Sequence, residues 1–320
     1  MISAPPRFDE SLPNTVVIVG ATGFIGHNLV RELKGKIDRI IPVSRSGISV
    51  AGLKGRDLRS LREVDLGRDA ILVDLAAYRY DALNFGEAQA AILIENVRLL
   101  CDVYEFCATN NIREIRRASS VAVYSADTDT LDDGSPLDLS ENPHDGELMY
   151  AWSKRIGETY ADAFRQKLGI NTLNFRLTNP YGPYDSVDEV KSHVVPAFIL
   201  RGLRNEDPFT IRGNPDASRD FIFVKDVCRV FEKSLYCRET GGSYNLGSGR
   251  NTTIIELAQT ILSLLGRSER IQVHGEAVSD VMHRRCNIER LQRDFALPQF
   301  ASLPAGLEPT IQWYRNPVWA

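Results

Sequence analysis

The stretch TVVIVGATGFIG, residues 15–26, joins a strand to a helix through a glycine-rich turn. Five apolar or β-branched residues at 15–19 predict a buried strand, and apolar residues at helical spacing follow over 25–33. Gly20, Gly23 and Gly26 occupy the turn between them. Glycines let the backbone approach phosphates, and the free N–H groups at a helix start attract negative charge. In this context the turn predicts a dinucleotide pyrophosphate site rather than an ordinary βα turn.

Composition indicates an ordinary globular protein with one large or two medium domains in 320 residues. The net charge of −4 gives no sign of a nucleic acid or an anionic membrane as partner, and no apolar run approaches the roughly 20 residues of a membrane helix. The five cysteines form no C-x-x-C pair and the histidines no H-x-x-x-H pair. We therefore expect reduced thiols, a cytoplasmic location and no metal. Residues 1–13 lack the pattern of a signal peptide and are expected to form a loose N-terminal arm.

Strand and helix patterns alternate along the first half of the chain, which predicts a Rossmann-type, doubly wound parallel sheet with helices on both faces, an α/β fold. Further strands are expected at 39–43, 70–75, 115–118 and 171–177, and helices at 88–107 and 149–169. Arg116 and Arg117 are unexpected in a central strand, and the sequence gives no account of them.

The predicted domains follow from this alternation. A dinucleotide-binding domain covers 14–178, with its sheet completed by about 219–238, and a smaller mixed α/β C-terminal domain covers 179–218 and 239–315. Asp226 is expected to cap the helix that follows it.

The end of the second strand bears on the choice of nucleotide. A carboxylate there would accept hydrogen bonds from both ribose hydroxyls and favour NAD. Here the sequence reads Ser44-Arg45-Ser46-Gly47, and Arg45 is suited to a 2′-phosphate. This favours NADP over NAD, although a solvent-facing loop arginine is the alternative interpretation.

Tyr150 and Lys154 stand four residues apart on one predicted helix, so that both face the same way. A lysine ammonium beside a phenol favours the phenolate and lowers the tyrosine pKa. Tyr150 is therefore a candidate acid/base on an alcohol or sugar hydroxyl, and Ser120, at a strand end, can hydrogen-bond the same oxygen. An exposed Tyr–Lys pair is common by chance, but its place after the glycine turn and the strand-end serine favours catalysis.

These motifs together resemble the extended short-chain dehydrogenase/reductases of the NAD-dependent epimerase/dehydratase family, which act on nucleotide sugars. The resemblance spans about residues 15–313, and its marks are GATGFIG (20–26), DL (57–58), LAA (75–77), ASSVAVY (118–124), YAWSK (150–154), RLTNPYGP (176–183), RDFIFVKD (219–226) and NLGSG (245–249). It implies that Tyr150 is the acid/base, that Lys154 holds the nicotinamide ribose and that Ser120 orients the substrate.

The resemblance also implies the remaining contacts. Residues expected at the cofactor are Gly20, Thr22, Gly23, Phe24, Ile25, Gly26, Arg45, Asp57, Leu58, Leu75, Ala76, Ala77, Asn96, Tyr150 and Lys154. Residues expected at the nucleotide-diphosphate sugar are Asn179, His193, Arg219 and either Arg284 or Arg285. Asn96 is interpreted as a tie between neighbouring loops, with a surface asparagine as the alternative interpretation. A homodimer through the helices near 88–107 and 149–168 is implied as well.

Departures from the family pattern narrow the expected reaction. Dehydratases of the family carry an Asp-Glu pair where this chain has Val121 and Ala122, which argues against dehydration. His193 falls on the acid/base histidine of the GDP-fucose synthases, but Ala122 replaces its partner cysteine. Hydride transfer at sugar C4 remains, by a 4-epimerase, favoured by SVAVY, or by an NADPH-dependent 4-ketoreductase, which the SRSG turn resembles. A catalytically silent NADP-sensing regulator is the alternative from another class.

Overall fold

A six-stranded parallel sheet with helices on both faces organises the chain, as seen in a computed structural model. The structure describes all residues except 1–4, 46, 58–64, 68, 79–84, 190–191, 269, 275–283 and 317–320.

The elements follow one another in the order that the sequence predicts for a doubly wound fold. The strands are β1 (Arg7–Phe8), β2 (Thr15–Val19), β3 (Arg39–Val43), β4 (Ile71–Asp74), β5 (Glu114–Ser120), β6 (Thr130–Leu131), β7 (Asn171–Leu177), β8 (Asn179–Tyr181), β9 (Phe209–Arg212), β10 (Ser218–Phe223), β11 (Cys237–Arg238), β12 (Gly242–Leu246), β13 (Asn251–Thr253), β14 (Ile271–His274) and β15 (Arg285–Cys286). The helices are α1 (Phe24–Leu33), α2 (Phe85–Thr109), α3 (Leu148–Leu168), α4 (Val194–Leu203), α5 (Val224–Ser234), α6 (Ile254–Leu264), α7 (Glu289–Asp294) and α8 (Leu303–Arg315).

The main sheet has the strand order β12-β7-β5-β4-β2-β3, and every neighbouring pair is parallel. Side chains alternate between its two faces. Val16 and Ile18 belong to a core with the C-terminal half of the chain, whereas Val17 and Val19 belong to a core with α2 and α3. The predicted α/β class is confirmed.

The strand that completes the sheet differs from the expectation of 219–238. β12 occupies that edge, and β10 instead pairs in parallel with β8 and antiparallel with β13. The prediction was wrong because β8 begins only two residues after β7 ends and draws β10 into a separate three-stranded sheet. That sheet carries the second half of the candidate site.

Two local expectations also need correction. The N-terminal arm is not loose over its described part, because β1 pairs antiparallel with β11 and the Phe8 ring meets Phe295 edge-on at 5.8 Å. Asp226 does not cap α5, whose N-cap position is Phe223. Lying inside the first turn, the Asp226 carboxylate accepts hydrogen bonds from Arg229 and from the Ala301 amide, which ties α5 to the segment before α8.

Candidate active site

The glycine turn between β2 and α1 makes a close backbone cradle. Gly20 has a φ of +81°, and a Cβ there would lie 2.8 Å from the Ala76 amide nitrogen. A Cβ on Gly26 would lie 2.2 Å from the Gly20 carbonyl oxygen, so both glycines are required by space. Gly23 stands at the N-cap of α1 without a side-chain cap, and its Cβ position meets only the Gly20 oxygen, at 3.2 Å.

This cradle fits the diphosphate of a dinucleotide. A helix start with no capping side chain leaves backbone N–H groups for an anion, and the absent Cβ atoms leave the space that a phosphate needs. Of the other predicted contacts in the turn, Thr22 is exposed, Ile25 is half-buried, and Phe24 is buried in the core.

The end of β3 lies against this turn. The Val43 carbonyl oxygen accepts the N–H groups of Gly20 and Ala21 at 3.0 and 3.1 Å. Arg45, two residues further on, is exposed, and Asp57 is half-buried next to the segment that bonds Ser44. Leu58 and Ser46 lie outside the described residues.

The end of β4 supplies the opposite wall of the cradle. Leu75 and Ala76 are half-buried there, and Ala77 is exposed. Asn96 of α2 accepts a hydrogen bond from the Tyr78 amide at 2.9 Å and donates one to the Ile92 carbonyl at 2.8 Å. Asn96 thus ties α2 to the loop after β4, which is the role that the sequence suggested.

Lys154 joins α3 to the end of β5. Its side chain is buried, its Nζ donates to the Ala118 carbonyl oxygen at 3.0 Å, and the same Nζ lies 5.5 Å from the centroid of the Tyr150 ring. Tyr150 is half-buried one turn earlier on α3. Ser120 ends β5, and its Oγ accepts the Ala122 N–H at 3.1 Å, which caps a 3₁₀ turn over Val121–Val123.

The surroundings of Lys154 lower its affinity for a proton. Burial, assisted by the neighbouring Arg117 guanidinium, lowers the pKa of Lys154 to about 8, and Asp74 and Glu158 oppose that shift. The ammonium therefore loses its proton at a lower pH than an exposed lysine does.

Beneath Tyr150 and Lys154, a buried polar network fixes β5 and α3. The Arg176 guanidinium contacts the Glu158 carboxylate at 2.7 Å through Nη2 and at 3.1 Å through Nε, and Ser119 and Ser243 donate to the same carboxylate. Burial opposes the charge on Glu158, but Arg176 holds the pKa of that carboxyl below its usual value. Arg176 also donates to the Tyr124 hydroxyl at 2.8 Å.

The sequence did not assign a role to Glu158, yet a signal was present. Glu158 follows Lys154 by four residues, as Lys154 follows Tyr150, so all three lie on one face of α3. The two unexpected strand arginines are also explained. Arg116 pairs with Glu114 at 2.9 Å on one face of the sheet, and Arg117 pairs with Asp74 at 3.6 Å.

The predicted substrate residues fall into two groups. Arg219 and Arg284 both act electrostatically on Glu147 at the start of α3, so the structure brings them together; burial raises the pKa of Glu147, and Arg284 and Arg219 are among the groups that oppose the shift. Arg284 Nη2 donates to the carbonyls of residues 125 and 126, and its buried Nε has no hydrogen-bond partner among the described residues. A buried donor left open beside a second arginine suits an anion.

The second group of predicted substrate residues comprises Asn179, Arg285 and His193. Asn179 donates to the Asp220 carbonyl at 3.0 Å, and Asp220 is the neighbour of Arg219 on β10. Arg285 is exposed on β15, whereas Arg284, one residue earlier, is half-buried. His193 is exposed at the residue before α4.

Within the described ranges, no cluster of three His, Cys, Asp or Glu side chains has the geometry for a metal ion. No described helix has the length and apolar character to cross a membrane.

Comparisons with known proteins bear on the family and the fold. A family model described as the NAD dependent epimerase/dehydratase family matches residues 16–247. The chain is 28% identical to a dTDP-4-dehydro-6-deoxy-D-allose reductase from Streptomyces sp, over 96% of this chain and 98% of the relative. Its fold is similar to a UDP-glucose 4-epimerase from Thermotoga maritima, with a TM-score of 0.79, 21% identity, and coverage of 94% of this chain and 98% of that one. It is also similar to a GDP-L-fucose synthetase from Naegleria fowleri, with a TM-score of 0.80, 16% identity, and coverage of 100% and 99%.

Proposed function

The chain belongs to the NAD dependent epimerase/dehydratase family, and on that premise we propose that it is an enzyme of hydride transfer at C4 of a nucleotide-diphosphate sugar. The observation that carries the proposal is the placement of Tyr150 and Lys154 on one face of α3, with Lys154 bonded to the end of the strand that bears Ser120. Of the two C4 reactions, reduction of a 4-keto sugar is the one that we favour.

Each proposed catalytic residue has a distinct task in the reduction. A nicotinamide cofactor held at the turn of Gly20, Gly23 and Gly26 would supply the hydride for the C4 carbonyl carbon. Tyr150 gives its phenolic proton to the carbonyl oxygen, so that the ketone becomes an alcohol and the charge balances. Ser120 hydrogen-bonds the same oxygen, and Lys154 stabilises the phenolate left on Tyr150 until solvent returns the proton.

Reduction is preferred to epimerisation for two reasons. A relative matched over 98% of its length is a dTDP-4-dehydro-6-deoxy-D-allose reductase. The end of β3 carries Arg45, which suits a phosphorylated and exchangeable NADP. The S-V-A-V-Y motif, residues 120–124, supports the 4-epimerase as the second candidate. The silent-regulator alternative is not favoured, because Ser120, Tyr150 and Lys154 are all present.

The substrate diphosphate is proposed to bind at Arg219 and Arg284, because the two guanidinium groups act electrostatically on each other and the buried Arg284 Nε has no hydrogen-bond partner among the described residues. Asn179 is proposed to contact the sugar. His193 is proposed as a further substrate contact, on its exposed position before α4.

The proposal includes a homodimeric assembly and a cytoplasmic location. A homodimer through α2 and α3 is supported by apolar side chains exposed on both helices, among them Ile94 and Tyr160. A cytoplasmic location is supported by cysteines that are all free, four of them buried.

The decisive experiment supplies the purified protein with NADPH or NADH and a panel of nucleoside-diphosphate 4-keto-6-deoxysugars that differ in the base. We expect loss of the reduced-nicotinamide absorbance and formation of a 6-deoxysugar alcohol, and we expect Tyr150→Phe to abolish both. Interconversion of C4 epimers without net oxidation of the cofactor would show that the protein is a 4-epimerase and not a reductase. Turnover that persists in Tyr150→Phe would show that Tyr150 is not the proton donor.

A further inference from the structure

An ion pair lies buried against Lys154, between the sheet and α3. Asp74 ends β4 and Arg117 lies opposite it on β5, with 3.6 Å between the Asp74 Oδ2 and Arg117 Nε atoms. Both side chains are at least nine-tenths buried. Charged groups are rarely buried in the middle of a parallel sheet unless they are paired, so their presence at this point calls for a reason.

Arg117 occupies a space that α3 leaves open for it. A Cβ on Gly157 would lie 1.8 Å from Arg117 Nη2, so any side chain at that position would displace the guanidinium. Gly157 follows Lys154 by three residues and faces the same way. The guanidinium is therefore held under the helix face that carries Lys154, and its Nη1 has no hydrogen-bond partner among the described residues.

The charged groups around Lys154 come from each element packed against it. Asp74 contributes a negative charge from β4, Arg117 a positive charge from β5, and Glu158 a negative charge from α3 itself. Tyr104 of α2 flanks the Asp74–Arg117 pair and hydrogen-bonds Thr172. Glu158 is bonded to Arg176, whereas Asp74 and Arg117 are bonded to each other.

We propose that Asp74 and Arg117 are a positioning pair, which lies under the face of α3 that carries Lys154 and balances the charge around its ammonium where that group is bonded to the Ala118 carbonyl. Arg117 repels the ammonium, and Asp74 attracts it. Because Arg117 also binds Asp74, the two charges are held together. The inference rests on the proposed function only in giving Lys154 a part in catalysis.

The test observes Lys154 directly. The full-length protein is labelled with [ε-¹³C]lysine, and the Lys154 signal is identified by its absence from Lys154→Arg and followed by NMR as pH is raised. We expect a midpoint of about 8 in the wild type. Arg117→Met should raise that midpoint by about one pH unit, and Asp74→Asn should lower it, because the two charges act in opposite directions.

A matched control separates this effect from general loss of packing. Arg116 is the adjacent buried arginine of β5 and pairs with Glu114 on the other face, so Arg116→Met should leave the Lys154 midpoint unchanged. If a single variant fails to fold, the double variant Asp74→Asn/Arg117→Gln carries no charge at either position; since Arg117 acts on Lys154 more strongly than Asp74, its midpoint should lie above that of the wild type.

Midpoints that stay unchanged, or that move the same way in both single variants, would overturn the positioning pair. The titration needs neither substrate nor turnover. A protein that reduces 4-keto sugars but shows no such shifts retains its proposed function and loses this inference. A protein that shows the shifts without any hydride transfer retains this inference and loses its proposed function.

Discussion

Arg45 is the residue that we propose to select the cofactor. Its side chain is exposed immediately beyond β3, whose end bonds the glycine turn through Val43. We expect Arg45→Ala to lower kcat/KM for NADPH by about tenfold or more and to leave NADH almost unchanged, because only NADPH offers a 2′-phosphate for a bidentate arginine. Arg98→Ala, an exposed arginine on α2, is the control and should change neither value. Equal losses of kcat/KM with NADPH and NADH would show that Arg45 does not discriminate between the two cofactors.

Lys154 should give the reaction a basic limb near pH 8. Its pKa in the folded protein is about 8, against an ordinary value of 10.5, so the ammonium is lost as pH rises through 8. The profile of kcat/KM should therefore fall above that pH, whereas the residual activity of Lys154→Arg, with a permanent charge, should not. The unfolded chain holds this proton up to about 10.5, so the same group makes the free energy of unfolding increase with pH across that interval. A profile that stays flat to pH 10 would contradict the role of the ammonium.

At the residue scale, the sequence predicted what depends on local spacing. Tyr150 and Lys154 were found because four residues make one helical turn. Arg117 was noticed but not explained, because its partner Asp74 is 43 residues away and meets it only through the register of two parallel strands. Arg284 could not be separated from Arg285 by sequence, since which of two adjacent residues faces inward depends on how β15 pairs with β6.

At the scale of elements, the turn between β2 and α1 contains a glycine with no space for a side chain, Gly26, and one with more space, Gly23. An alanine inside a helix is normally more stable than a glycine by about 1 kcal/mol. In Gly26→Ala, however, the new methyl group would lie 2.2 Å from the Gly20 carbonyl oxygen and 2.7 Å from the Ala21 Cα. We expect a loss of about 1–3 kcal/mol in the free energy of unfolding, measured in urea.

Gly23→Ala is the matched variant in the same turn. Its methyl group meets only the Gly20 carbonyl oxygen, at 3.2 Å, and its φ of −76° suits any residue. Stability should stay within about 1 kcal/mol of the wild type, while nucleotide affinity falls because the methyl group stands where a phosphate approaches. If the free energy of unfolding of Gly26→Ala equals that of the wild type, the close contact between the Gly26 position and the Gly20 carbonyl oxygen is contradicted.

The Glu158–Arg176 pair is expected to be the costliest polar contact to break between β7 and α3. Both side chains are buried, so Glu158→Gln leaves the Arg176 charge without its counterion, which costs about 3–5 kcal/mol. The control is Glu32→Gln, which removes an exposed partner of Lys36 and should cost less than about 1 kcal/mol. Equal losses in urea unfolding would show that Arg176 is not isolated from water.

At the scale of the whole molecule, the alternation of strands and helices predicted the parallel sheet but not its last strand. β12 and β10 have similar length and both end in buried apolar residues, so pattern alone does not rank them. The choice depends on where the chain turns after β7, which is a property of the assembled sheet. The same turn places Arg219 on β10, in the second half of the candidate site.

The outer surface of α2 and α3 argues for the proposed homodimer. The two helices pack against each other, yet Ile94 and Tyr160 remain 47% and 42% exposed. Burying both side chains against a second copy would remove that apolar surface from water, and symmetric dimers are the commonest oligomers. By sedimentation, we expect the wild type at twice the 35.8 kDa chain mass and Ile94→Lys/Tyr160→Lys at the chain mass. Val273→Lys, equally exposed on β14, should remain a dimer, and a wild type that sediments as a single chain at all concentrations would exclude the assembly.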